Sequence, residues 1–309
     1  MKRLALLFAL TLFCSSLGAD ELLDRDVLLT PEGVLYTVGT VRTEVANGES
    51  RYHLLLAVQD GDERWTEAVP ASVAGGAHSN PALAYDAESR TLFLFWQETL
   101  YRGLSSRLLF VSLQNRKWSE VSELDSVEWK LRRNLRIAVT RTIESTNDQN
   151  QPVQVPQVVV HAVWWEESGA GEFARYAMLG IDNGVVTTKE FRYLLEFNGT
   201  SVDRAASEGV VTTSNEALRH PAVQTTPARD AVDVVFGDAG ANSLHRLRIR
   251  PVLDGRLRIP IGVRGRNMRD MQLTVTEGGR VAALIDDESV TMYTVAEGRV
   301  GYAIYRDGR

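Results

Sequence analysis

Short apolar runs separated by clusters of Gly, Asn, Asp and Ser recur along most of this 309-residue chain, and no long run has helical periodicity. Strand-length segments in this rhythm predict an all-β fold. Two stretches define the unit. Asn80 to Asp86 reads as a strand, Ala87 to Arg90 as a turn, and Thr91 to Trp96 as a second strand. His220 to Thr225, a turn through Pro227 to Asp230, and Ala231 to Phe236 repeat that layout, and the spacing from Pro81 to Trp96 equals that from Pro221 to Phe236. Asn134 to Val139 opens a third copy, whose second strand, Val158 to Trp164, follows a polar insertion at Glu144 to Gln151. Met271 to Val275 with Arg280 to Ile285 make a fourth. Val27 to Thr30 with Val34 to Val38 make a looser, N-terminal one.

Each pair leads into another. Tyr52 to Val58 precedes Arg64-Trp65-Thr66-Glu67, and Arg107 to Val111 precedes Lys117-Trp118-Ser119-Glu120. Tyr176 to Gly180 with Glu190 to Arg192, His245 to Ile249 with Arg256 to Ile259, and Thr291 to Val295 with Val300 to Tyr305 fill the same slots. Five four-strand units result, which predicts one β-propeller of five four-stranded blades over residues 20–309. Six blades is the alternative, with a degenerate sixth in Asn198 to Ala217, a stretch otherwise read as a long loop. Leu92 to Trp96 and Val158 to Trp164 are apolar on both faces, His161 excepted, whereas a sheet with one wet face alternates. Tandem β-sandwiches are the competing architecture.

The first residues change the picture of where the chain works. Lys2-Arg3, the apolar run Leu4 to Phe13, the small residues Ser15 to Ala19 and the acidic Asp20-Glu21 follow the order of a secretory signal peptide. Residues 1–19 are therefore expected to be removed, and the mature chain to be secreted or periplasmic. The apolar run is shorter than the roughly 20 residues that cross a bilayer, and no membrane span is expected elsewhere. Lipid attachment at Cys14 is disfavoured by Phe13, where a small residue normally stands. Cys14 is the only cysteine, so the mature chain enters an oxidising compartment without disulfides and relies on its core. Removing Lys2 and Arg3 takes the formal net charge from −6 to −8. With no basic run besides, nucleic acid and anionic membrane surfaces are poor partners.

An aromatic-x-acid ending on second strands and Trp-Ser/Thr-Glu on fourth strands resemble the sialidase-like propellers with bacterial neuraminidase repeats. The Asp-box of that family reads Ser-x-Asp-x-Gly-x-x-Trp. Before Trp65, Asp60 holds the Asp position while Val58 replaces Ser and Asp62 replaces Gly. Before Trp118, Leu113 and Asn115 replace Asp and Gly. The family's catalytic arginine trio, Tyr-Glu pair and Asp do not map onto this chain. What the resemblance implies is the propeller fold and a sugar-related role.

In a propeller, loops entering first strands and leaving second strands open on one face around the axis. Glu98, Glu166, Asp238 and Asp287 leave second strands; His78 and Asn80, Arg132 and Arg133, Arg219 and His220, and Arg266 and Arg269 enter first strands. Aligned so, they converge on one polar mouth, with Arg133, Arg219, His220 and Arg269 as candidate ligand-binding residues beside the four acids. Arginine offers a planar fork of donors for carboxylates. Carboxylates accept from sugar hydroxyls, or work in pairs as acid and base in glycoside hydrolysis. Against this, residues that recur in every repeat are often structural, and each acid is expected to tie down its own blade. The histidines His53, His78, His161, His220 and His245 have no metal-ligand spacing, and His161 reads as core. No metal or cofactor is expected. The preferred reading is a non-catalytic binding module for a glycan or an extracytoplasmic protein, with an anionic group as one form of ligand. The alternative is a glycoside-processing enzyme of sialidase-like type using paired mouth carboxylates. Acids bonded into their own blades favour the first; two acids facing an open pocket favour the second.

Overall fold

Alternating apolar positions become antiparallel strands, each except β9 hydrogen-bonded to a neighbour in sequence. The computed structural model describes residues 21–44, 50–70, 77–100, 105–127, 131–147, 149, 151–168, 171–182, 185–194, 222–226, 228–238, 243–251, 280–285, 289–296 and 299–306. The first sheet runs β1 (Glu21–Leu29), β2 (Leu35–Glu44), β3 (Ser50–Asp60), β4 (Glu63–Ala68). The second runs β5 (Ala77–Asp86), β6 (Thr91–Leu100), β7 (Ser105–Gln114), β8 (Lys117–Trp118), with β9 (Ser122–Val127) also paired to β7. The third runs β10 (Leu131–Thr146), β11 (Pro152–Ser168), β12 (Gly171–Asp182), β13 (Val185–Leu194). β14 (Ala222–Thr225), β15 (Val232–Asp238) and β16 (Ser243–Ile249) form the fourth, and β17 (Arg280–Ile285), β18 (Ser289–Ala296) and β19 (Arg299–Arg306) the fifth. Among the described residues there are thus five sheets, one for each repeat unit, and no helix. The stretch that would hold a sixth blade lies outside the described residues.

Two compact units divide the chain, Met1–Leu135 and Arg136–Arg309. In the first, the second sheet lays Leu92, Leu94 and Trp96 of β6 and Leu109 and Val111 of β7 on Val38, Leu54, Leu56 and Val58 of the first sheet. Positions 92, 94 and 96 share one face of β6, and Phe93 and Phe95 share the other. All are buried, so this strand is dry on both faces as its composition requires. Phe95 stacks on Phe110 with ring centroids 4.9 Å apart. In the second unit, Val159 and Val163 of β11 and Tyr176 and Met178 of β12 pack on Val232 and Val234 of β15 and Ile249 of β16. Face-to-face stacking of the first sheet on the second, and of the third on the fourth, is the arrangement of blades.

Equivalent residues take equivalent places. Trp65 on β4 and Trp118 on β8 both stand on the fourth strands of their sheets, opposite Val58 and Leu113. The Trp118 indole N–H donates to Glu67 Oε1 at 2.8 Å, and the Arg116 guanidinium lies 5.8 Å from the Trp65 ring centroid. Outer strands of the first two sheets are therefore tied as well as their cores.

Strand ends differ from the sequence expectation. His78 and Asn80 lie inside β5, Arg132 and Arg133 inside β10, and Glu98 and Glu166 inside β6 and β11, not in loops beside them. A bulge explains β5: Ser79 pairs Gln97 and Ala82 pairs Phe95, so one extra residue is absorbed and pairing resumes. Asn80 accommodates it with a left-handed φ of 49°. Asn134 takes φ 55° at the matching position of β10. Asparagine tolerates this conformation better than other non-glycine residues.

Candidate functional site

Within the second sheet, β6 brings Glu98 opposite Arg107 of β7. Glu98 is fully buried (0% exposed), and its Oε2 accepts from Arg107 Nε. Its Oε1 accepts no hydrogen bond from the described residues. Arg107 continues to Glu123 Oε2 at 3.3 Å, toward solvent. Burial alone lowers the Arg107 pKa, but hydrogen bonds to Glu98 and Glu123 hold it above its ordinary value. His78 of β5 lies opposite Glu98, and its Nδ1 accepts the Trp96 indole N–H at 3.0 Å. That bond places the proton of a neutral ring on Nε2. Burial pushes the His78 pKa down, with the Glu98 charge opposing.

The third sheet repeats the device. Glu166 of β11 is fully buried and accepts from Arg175 of β12 at 3.1 Å on Oε1 and 3.3 Å on Oε2. The Trp164 indole N–H donates to Glu166 Oε2 at 3.3 Å, and Arg175 lies 6.0 Å from the Trp164 ring centroid. Both acids follow a buried Trp by two residues, and both partner arginines come nine residues after the acid.

Arg132 and Arg133, adjacent on β10, face opposite ways. Arg132 is fully buried and donates to the Ser106 carbonyl at 2.7 Å, whereas Arg133 is exposed. Asp238 is the last residue of β15, opposite Ser243. Arg219, His220, Arg269 and Asp287 lie outside the described residues. His161 is core, as expected: Thr140 Oγ1 lies 2.8 Å from its Nε2, the Tyr176 hydroxyl 2.6 Å from its Nδ1, and burial pushes its pKa down to about 3.

Arg107, Arg175 and Glu123 were missed in the sequence, where the nine-residue spacing from Glu98 and Glu166 was the available signal. Asp24 and Asp26 of β1 were missed too. Their carboxylates accept the Asn80 and Leu83 backbone N–H groups of β5 at 3.4 and 2.8 Å. The clue was the pair of acids two positions apart, Asp24 and Asp26, which share one face of β1.

Chain-order meander sheets stacked face to face define the β-propeller class of fold. No family model matches the chain, and no curated protein is significantly similar. Among solved structures it is similar to the Hadza microbial sialidase Hz136, with 11% identity over 92% of this chain and 58% of that one and a TM-score of 0.48. The chain therefore spans little more than half of that sialidase's length. It is also similar to the intramolecular trans-sialidase from Ruminococcus gnavus (8% identity, 94% and 85% coverage, TM-score 0.47). A third similar structure is the GH43 endo-arabinanase from Bacillus licheniformis (9% identity, 91% and 92% coverage, TM-score 0.41).

Proposed function

We propose that this chain is an exported, single-propeller, non-catalytic binding module that recognises a glycan or an extracytoplasmic protein partner through the polar ends of its inner strands. One observation carries this reading: Glu98 and Glu166, the two candidate acids with described side chains, are each fully buried and neutralised by an arginine of the next strand in the same sheet. The paired-carboxylate route of glycoside hydrolysis needs two carboxyl groups flanking the scissile bond, one giving and one taking a proton or electron pair. An acid sealed in its own sheet and bonded to a guanidinium does neither. The exposed Arg133 and the half-buried Glu123 are polar groups in reach of a ligand. Export rests on the basic, apolar and small-residue order of the first 19 residues.

The test pairs a glycan array with turnover assays on aryl glycosides, α-sialosides included, using the purified mature protein. Binding to one glycan class without product release is the expected outcome. Turnover that Glu98→Gln or Glu166→Gln abolishes, with melting unchanged, would overturn the reading.

A further inference from the structure

β10 and β11, at 16 and 17 residues, are the longest described strands, and their hairpin outruns its sheet. Among the described residues, β12 pairs β11 only from Val158 onward, and the arm before it has one sheet neighbour, β10. Asn147 joins the two strands at the turn: its N–H donates to the Gln151 carbonyl at 3.0 Å, and its Oδ1 accepts from the Gln149 and Gln151 N–H groups at 3.0 and 2.9 Å. The β10 side is fastened, with Arg141 N–H donating to the Arg229 carbonyl at 3.1 Å and Glu144 N–H to the Pro251 carbonyl at 2.8 Å. Along the β11 side, Pro152, Gln154, Val155 and Pro156 are exposed.

This strand has the composition that adds strands readily. No Asp, Glu, Lys or Arg stands between Asp148 and Glu166, and Val153, Val155 and Val158 to Val160 are β-branched. High β-propensity with no charge on an open edge is the signature of unwanted pairing. We propose that Pro152 and Pro156 guard this edge, keeping the arm of a second copy of this chain from pairing with it.

The argument is one of alternation. Residues two apart on a strand point their N–H and C=O groups to the same side. Pro152, Gln154 and Pro156 therefore face one side, and Val153 and Val155 the other. Proline in a sheet sits with its nitrogen toward the open edge, since facing inward it would remove ladder bonds. Of the three donors that edge would otherwise hold, only the Gln154 N–H is left. An incoming antiparallel strand needs donors and acceptors in turn, and here meets mainly acceptors.

Replacing both prolines, Pro152→Thr with Pro156→Thr, tests this in the full mature chain by light scattering over a concentration series. The expected result is a mass that rises to at least twice the parent's as concentration increases, and returns to the parent's when Gln154→Pro is added. A folded double variant whose mass tracks the parent's at every concentration overturns the proposal. Hydrogen exchange on the dilute parent provides a test independent of any variant's folding. The Gln154 amide is expected to exchange faster than those of Val153 and Val155 by on the order of 10-fold or more. Equal protection of all three would mean the edge is already paired, and overturns the proposal too.

Discussion

The backbone N–H of Leu83 on β5 donates to Oδ2 of Asp26 on β1 at 2.8 Å, across two different sheets. β5 is an edge strand of its own sheet, so donors on its far side have no ladder partner. A carboxylate from the preceding inner strand takes that place for Leu83, a residue only 5% exposed. Asp26→Ala leaves this buried donor unpaired and is expected to lower unfolding stability by about 2 kcal/mol. Asp26→Asn keeps an acceptor and should lose less than half of that. Urea unfolding with an unchanged m-value measures both.

Asn80 yields a prediction of unequal cost for two small changes. With φ at 49° it sits where a β-branched residue is strained. Asn80→Val is expected to cost about 1–2 kcal/mol from the backbone alone, plus the bond its Nδ2 gives Gln97 Oε1 at 3.2 Å. Asn80→Gly loses the same side-chain bond and relieves the backbone, so its midpoint should stay within a few degrees of the parent's. Equal losses for the two variants would contradict the bulge geometry.

That bulge also marks the limit of what was legible. Repeat units, strand order and the equivalence of Trp65 and Trp118 followed from spacing and alternation, because a dry strand such as β6 admits few residue types. The extension of β5 back to Ala77 did not follow, since Asn80-Pro81 reads as the start of a strand. The candidate acids were found, but their arginines were not. Arg107 and Arg175 stand in strands that look amphipathic, and only cross-strand register brings them to Glu98 and Glu166.

Those pairs make the third prediction. Glu98→Ala or Glu166→Ala strands a guanidinium whose side chain is only 18% or 14% exposed. Removing one member of a largely buried pair is expected to lower stability by about 3 kcal/mol. Arg107 keeps Glu123, so Glu98→Ala should fall somewhat short of that figure. Glu98→Leu combined with Arg107→Met removes both charges and should recover most of the loss. A double variant as unstable as the single one would show that the pair is not the stabilising unit.

The last prediction concerns acid. His161 is fully buried between Thr140 and Tyr176, and burial holds its folded pKa at about 3, against about 6.5 in an unfolded chain. The sign follows from proton counting: between these values the unfolded state binds the proton and the folded state does not, so stability rises with pH there. Above pH 6.5 both states are neutral at this position and the group contributes no slope. Below it, each unit of acidification should remove up to about 1.4 kcal/mol on account of this histidine. His78 shifts in the same direction, so its contribution adds to the same limb. His161→Gln keeps a donor and an acceptor for the two hydroxyls but does not titrate. Its stability at pH 7 should be modestly lower than the parent's, and its loss between pH 6.5 and pH 4 distinctly shallower. Urea midpoints across that window decide it: parallel pH profiles for parent and variant would mean that His161 is not held neutral by the fold.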